Sequence, residues 1–185
     1  MFKSCFPNSS LGGSANDPPA EGQNLLRGQG SGEAVHTVQN AKGIYNDALK
    51  YFATRQDKLF IVVTAPPLIE SETTPEAAVN ARAFNRWLVD EWLEDYPYQN
   101  VAVFDFYNVL TTNGVSPETS DAGKSSGNHH RYSPELDAIE YVTGQGSNFS
   151  AYGSGDSHQT AAGGEKATDE FIELLNISYH AWKGE

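Results

Sequence analysis

The stretch DKLFIVVTAPP, residues 57–67, decides the fold class of this 185-residue chain. Residues 59–64 form a continuous apolar run rich in β-branched side chains, and Pro66 and Pro67 end it. Such a run is typical of a parallel strand covered by helices on both faces, because neither face has to present polar groups to water. The stretch therefore predicts a buried strand of an α/β protein.

The segments on either side of this strand have the periodicity of amphipathic helices. A helix is predicted from about Glu33 to Arg55, and its apolar stripe consists of Val38, Ala41, Tyr45, Ala48 and Phe52. A second helix is predicted from Thr74 and Pro75, which form a typical N-cap and first helical position. Its stripe consists of Ala77, Ala81, Phe84, Leu88 and Trp92. Both stripes are expected to face the core.

Residues 101–106 predict another buried strand, and a last helix is predicted from about Thr160. The apolar side of this last helix consists of Ala167, Phe171, Leu175, Tyr179 and Trp182. Alternating helices and strands predict one α/β domain over residues 1–185, built as a three-layer α/β/α sandwich with a parallel sheet.

The rest of the chain is polar and rich in glycine, so residues 7–33 and 111–155 are predicted to be loops. Only residues 1–5 precede the first loop, and they provide no more than a strand stub. A sheet of two strands is a poor core because its edges present unpaired backbone groups. We therefore expect the first strands of the fold, an N-terminal part, to be missing from this chain.

Composition excludes several classes of function. Twelve Lys and Arg against 24 Asp and Glu give a net charge of −12, which repels nucleic-acid phosphates and anionic lipid headgroups. Cys5 is the single cysteine, which excludes an internal disulfide and a multi-cysteine zinc site. The apolar runs are too short to span a bilayer and no apolar signal segment follows Met1, so a membrane is not an expected partner. Because of the negative charge, nucleic acid is not an expected partner either. The compartment is left open, with a secreted parent protein as one hypothesis.

The stretch GSGDSHQTAAG, residues 153–163, permits two interpretations. Gly-Asp-Ser is a nucleophile signature of some serine esterases, whereas Asp156 and His158 offer the acid and base of a charge relay. A nucleophile turn needs a strand directly before it, and residues 147–155 are too rich in Ser, Gly and Asn to form one. The acid and base are therefore the favoured interpretation, at the carboxyl ends of the strands, where ligands bind in parallel sheets.

Several stretches of the chain resemble the SGNH/GDSL hydrolase superfamily: FKSCFPNS (2–9), DKLFIVVTAPP (57–67), NARAFN (80–85), VFDFYNVL (103–110), GNHHR (127–131) and DSH (156–158). The resemblance runs from Phe2 to Trp182 and implies a flavodoxin-like α/β/α sandwich and a serine esterase. It implies that His158 is the base, that Asp156 orients it and that Asn8 donates a hydrogen bond to the oxyanion. No metal or organic cofactor is expected.

The chain also departs from the family pattern. Gly155 stands where the family usually has the acid, Gln159 replaces a common proline, and no residue matches the nucleophile. Ser4 and Ser157 are candidate substitutes, although a structural role is favoured for both. His129 and His130 are predicted to contact substrate or to pack within a loop rather than to bind a metal.

These observations lead to two hypotheses from different classes. The first is a serine-type hydrolase of carboxylic esters, small or polymeric, with carbohydrate esters among them. The second is a catalytically inactive, truncated scaffold or binding module that forms a homo-oligomer through exposed sheet edges.

Overall fold

A computed structural model describes residues 2–3, 6–22, 35–68, 70–111, 130–133, 138–141 and 157–185. Its helices and strands are, in chain order, β1 (Phe2–Lys3), α1 (Val38–Ala53), β2 (Phe60–Val63), α2 (Pro75–Asp90), β3 (Val101–Phe104), α3 (Phe106–Thr111), β4 (His130–Ser133), β5 (Ala138–Tyr141) and α4 (Ala161–Lys183). Short 3-10 turns cover Phe6–Ser9 and Glu70–Glu72. The protein thus has the α/β character that the sequence predicts.

The strands β1, β2 and β3 form a parallel sheet with β2 in the centre. Phe2 lies opposite Val62, and Val62 lies opposite Val103. The central strand is the stretch on which the fold prediction was based, and the stub at the start of the chain forms β1. Both predicted strand positions are confirmed.

Apolar clusters lie on the two faces of this sheet, because successive strand residues point to opposite sides. Val62 and Val103 belong to a cluster with α1 and α2, whose buried members include Val38, Ala41, Tyr45, Phe52, Phe84, Trp87, Leu88 and Trp92. Ile61 and Val63 belong to a second cluster, with residues of β3, α3 and α4. The apolar stripe predicted for α1 and most of that predicted for α2 therefore face the core.

Threonine side chains define where the first two long helices begin. The Thr37 Oγ1 atom accepts a hydrogen bond from the Asn40 backbone at 3.2 Å, and the Thr74 Oγ1 atom accepts one from Ala77 at 3.2 Å. The start predicted at Thr74 is confirmed. The start predicted at about Glu33 is wrong, because the Thr37 cap fixes the first turn of α1 at Val38.

The predicted strand 101–106 ends two residues early. Asp105 leaves the sheet and caps α3: its carboxylate accepts a hydrogen bond from the Asn108 backbone at 3.3 Å, and its carbonyl accepts one from Val109 at 3.1 Å. Phe106 is therefore a helical residue, although it still packs in the second apolar cluster.

Within the stretch predicted as a polar loop, β4 and β5 form an antiparallel pair. Tyr132 lies opposite Ile139 and His130 lies opposite Tyr141. The two strands are short and stand among glycine-rich segments, so their alternation was too brief to be recognised. The β4 strand lies beside α4.

The buried side of α4 differs from the predicted stripe. Leu175 and Tyr179 are exposed, whereas the buried residues of this helix include Gly163, Ala167, Glu170, Leu174 and Ser178. These positions follow one another at intervals of three and four, as predicted. The predicted stripe is right for Ala167 and Phe171, which pack in the second apolar cluster, and wrong for Leu175 and Tyr179. The difference arises because the fold buries the polar residues Glu170 and Ser178.

Candidate functional site at the carboxyl end of the sheet

The segments that leave the three parallel strands meet at one end of the sheet. Ser9, in the turn after β1, donates a hydrogen bond from its hydroxyl to the Pro66 carbonyl, 2.5 Å away, in the segment after β2. Thr64, directly after β2, donates from its hydroxyl to the Asp105 carboxylate, 3.1 Å away, directly after β3. Each strand exit is thus joined to its neighbour by a buried hydrogen bond.

Two asparagines of α2 hold the same segments in place. Asn85 forms two hydrogen bonds with Ala65: its amide donates to the Ala65 carbonyl at 3.0 Å, and its oxygen accepts from the Ala65 backbone at 3.3 Å. The amide of Asn80 donates to the carbonyls of Leu11 and Gly13 at 2.9 and 3.1 Å. Both asparagines are buried. Their side chains provide partners for loop backbone groups that would otherwise be buried without one.

The start of α4 lies at this same end of the sheet. The Ser157 hydroxyl donates to the carboxylate of Glu72, which follows β2. Gln159 borders a cavity of about 300 Å³ together with Val63 and Phe104, the last residues of β2 and β3. The sequence-based expectation for the side from which the last helix is entered therefore agrees with the structure.

His158 lies between Ser157 and Gln159 in the chain, and its side chain is exposed. An imidazole in this position is accessible to a ligand at the mouth of the sheet. Asp156, its predicted partner, lies outside the described residues, as does His129. His130 begins β4, but its side chain is also outside the described part. The roles predicted for these four residues stay predictions.

Asn8 lies in the turn after β1, at the carboxyl end of the sheet, and is 6% exposed. Its amide donates to the Tyr45 hydroxyl of α1 over 3.4 Å. The amide is thus held by a neighbouring helix, a contact that the sequence did not suggest. Its predicted role at an oxyanion is not tested by this geometry.

The structure describes Ser157, one of the two candidate substitute nucleophiles. Ser157 is buried and its hydroxyl is engaged by Glu72, which favours the structural role that we expected. Ser4, the other candidate, lies outside the described residues.

Sequence reasoning missed a buried tyrosine beside this site. Tyr107 of α3 is 2% exposed, and its hydroxyl has no hydrogen-bond partner among the described residues. The Arg82 guanidinium lies 4.7 Å from the centre of its ring and donates to the Asn108 side chain at 3.4 Å. Burial raises the pKa of Tyr107 to about 12; the charge of Arg82 lowers it and that of Asp105 raises it. Desolvation dominates because it disfavours the phenolate.

Within the described ranges, no group of three or more His, Cys, Asp or Glu residues is arranged to hold a metal ion. The helices of the same ranges include none long and apolar enough to cross a membrane.

Neither a family model, nor a curated protein, nor a solved structure matches this chain. The resemblance to SGNH/GDSL hydrolases stays a prediction from the short stretches quoted above.

Proposed function

We propose that this protein is a serine-type hydrolase of carboxylic esters, with His158 as general base, Asp156 as its orienting acid and Asn8 as a donor to the oxyanion. The observation that carries the proposal is the position of the start of α4. The Ser157–Glu72 hydrogen bond holds the segment around His158 at the carboxyl end of a parallel sheet. Gln159 borders a cavity at this same end, beside the last residues of β2 and β3. This end is where α/β proteins bind their ligands.

The chemistry follows from an exposed imidazole at this position. The His158 ring nitrogen would accept the proton of a serine hydroxyl as that oxygen adds to the ester carbonyl. Hydrogen-bond donors, Asn8 among them, would stabilise the oxyanion of the tetrahedral intermediate. The proton would then pass from His158 to the departing alcohol, and water would release the acid by the same steps. Covalent labelling identifies the nucleophilic serine.

The proposal includes a finer fold assignment, a three-layer sandwich of the flavodoxin type. Apolar clusters on both faces of the parallel sheet support it. The substrate class is uncharged esters, small or polymeric, with carbohydrate esters among them, because a net charge of −12 disfavours anionic substrates.

The test compares two histidine variants. Turnover of p-nitrophenyl acetate should fall ~10²–10⁴-fold in His158→Ala, because a general base contributes about that much. His180→Ala is the matched control: His180 lies in the last turn of the same helix, is exposed and contacts Glu185. A fluorophosphonate probe should label one serine, identified by mass spectrometry. Hydrolysis that is equal in both variants would remove the mechanism.

A second candidate function is a binding module that associates with copies of itself. It is favoured by the short β1 strand, which pairs over two residues with β2, and by the described strands of this sheet, in which β1 and β3 each have one neighbour. Unpaired strand edges are templates for association. Sedimentation over a range of concentrations tests it, and a monomer at the highest concentration would count against it.

A further inference from the structure

A groove runs along the outward side of α1, away from the candidate site. Its base is formed by the second half of α1, from Gly43 to Ala53, and its walls are Pro18–Gly22 on one side and Tyr96–Tyr98 on the other. Its volume is about 830 Å³. This is within the ~300–1,000 Å³ that small-molecule sites occupy.

An aromatic wall of the groove is held in a fixed orientation. The side chain of Tyr98 is 44% exposed, and its ring meets that of Tyr96 edge-on with the centres 5.4 Å apart. The Tyr96 hydroxyl donates to the Asn100 side chain at 2.7 Å. Asn100 is fully buried and donates in turn to the Phe52 carbonyl at 3.0 Å. Tyr98 thus presents a ring to the groove on a support that does not need to reorganise when a ligand binds.

The polar groups of the groove include both donors and acceptors. The Asn46 amide, which lines the groove, offers both. Glu21 contributes an acceptor, and Lys50 contributes a donor that lies 3.5 Å from the Asp47 carboxylate. Two carboxylates and one ammonium group, in a chain of net charge −12, disfavour anionic ligands.

A neutral sugar chain fits this combination. Each sugar hydroxyl both donates and accepts, so it can pair with the acceptors and with the donors of the groove. The C–H face of a sugar ring packs on an exposed aromatic ring. A proline-rich peptide is the competing ligand, since such peptides bind in aromatic grooves. It offers mainly carbonyl acceptors, whereas Glu21 and Asp47 are acceptors themselves.

The groove lies apart from the candidate site. Asn100 directly precedes β3, so the Tyr96–Tyr98 wall is at the amino end of the sheet, opposite to His158. We propose that the groove between Pro18–Gly22 and Tyr96–Tyr98 is a binding site for a neutral oligosaccharide. This proposal does not depend on esterase activity.

Isothermal titration of the full chain tests it with four probes: cellohexaose, xylohexaose, mannohexaose and a decaproline peptide. We expect at least one of the oligosaccharides to bind with a Kd of ~1 mM or tighter. Tyr98→Ala should weaken that binding ~10-fold through loss of the ring contact. Tyr51→Ala is the matched control. Tyr51 is 55% exposed on α1, whose second half forms the base of the groove, but it does not line the groove.

Asn46→Ala provides a second variant within the groove, in case Tyr98→Ala disturbs folding; circular dichroism checks both. Asn46→Ala should also weaken oligosaccharide binding. The proposal is overturned by absence of binding to all three oligosaccharides, by binding of decaproline alone, or by affinity that is unchanged in both groove variants. It is also overturned if Tyr51→Ala weakens binding as much as Tyr98→Ala does.

Discussion

The two faces of the parallel sheet both contain aromatic contacts, but they differ in how well the sequence identifies the buried sides of their helices. On the α1–α2 face the contacts are aromatic: the Phe84 ring meets Tyr45 edge-on at 5.1 Å, and Tyr45 meets Trp92 at 5.6 Å. On the α3–α4 face the Phe104 ring meets Phe171 edge-on at 5.3 Å, and α4 buries Glu170 and Ser178 beside Leu174. Large apolar residues identify the buried side of α2, although this helix also buries two asparagines. They identify that of α4 only in part, because Leu175 is exposed while Glu170 and Ser178 are buried.

The largest expected effect comes from removing an aromatic ring on each face. Phe84→Ala should lower the free energy of unfolding by about 4 kcal/mol, because Phe84 is fully buried and leaves a cavity. Phe171→Ala on the other face should lower it by about 1–2 kcal/mol, because Phe171 is only partly buried. Urea denaturation followed by circular dichroism measures both. Equal losses would show that Phe171 contributes as much to its face as the fully buried Phe84 does to the other.

Two adjacent leucines of α4 test the phase of its buried side. Leu174 is fully buried and Leu175 is 38% exposed, although the sequence stripe contained Leu175. Leu174→Ala should cost about 3 kcal/mol, and Leu175→Ala should cost less than about 1 kcal/mol. The same denaturation assay decides between them. A larger loss for Leu175→Ala would restore the stripe predicted from the sequence and overturn the observed phase.

The smallest effect on stability is expected from a change at Tyr107 of α3, whose ring lies beside Arg82 of α2. Tyr107→Phe removes a buried hydroxyl without a partner among the described residues, so at pH 7 the variant should be about 1 kcal/mol more stable.

The same variant should alter the dependence of stability on pH. The folded protein raises the pKa of Tyr107 from its ordinary value to about 12, so the unfolded chain loses this proton first. Stability should therefore be independent of this group below pH ~10 and should fall as the pH rises to about 12. Denaturation of the two proteins between pH 9 and 12 measures the difference. Parallel curves would mean that the phenol is not protected from water.

The sequence predicted most of the framework, because its signals are local. The apolar run of β2 and the Thr74–Pro75 start of α2 are recognisable within a few residues. The end of β3 was misjudged because Asp105 caps the next helix, and a cap is recognised only when that helix is. The buried side of α4 was misjudged in part because the burial of Glu170 depends on the elements packed around it, which the helical pattern alone does not reveal.

The candidate site was predictable in its location but not in its contacts. That the segment around His158 approaches the carboxyl ends of the strands follows from chain order in a parallel sheet. The contacts that shape this end join residues far apart in sequence, such as Thr64 with Asp105 and Asn85 with Ala65. Such pairs depend on how helices and strands are placed in space, and no spacing in the chain encodes them.

Asn100 has a consequence for the way the molecule opens. Its side chain joins the carbonyls of Phe52 and Arg55 at the end of α1, and its own carbonyl accepts from Phe60 at the start of β2. The last turn of α1 and the first residues of β2 and β3 therefore cannot loosen separately without leaving a buried amide unpaired. Their backbone amides should exchange with deuterium as one cooperative unit, and Asn100→Ala should divide that unit into independently exchanging parts.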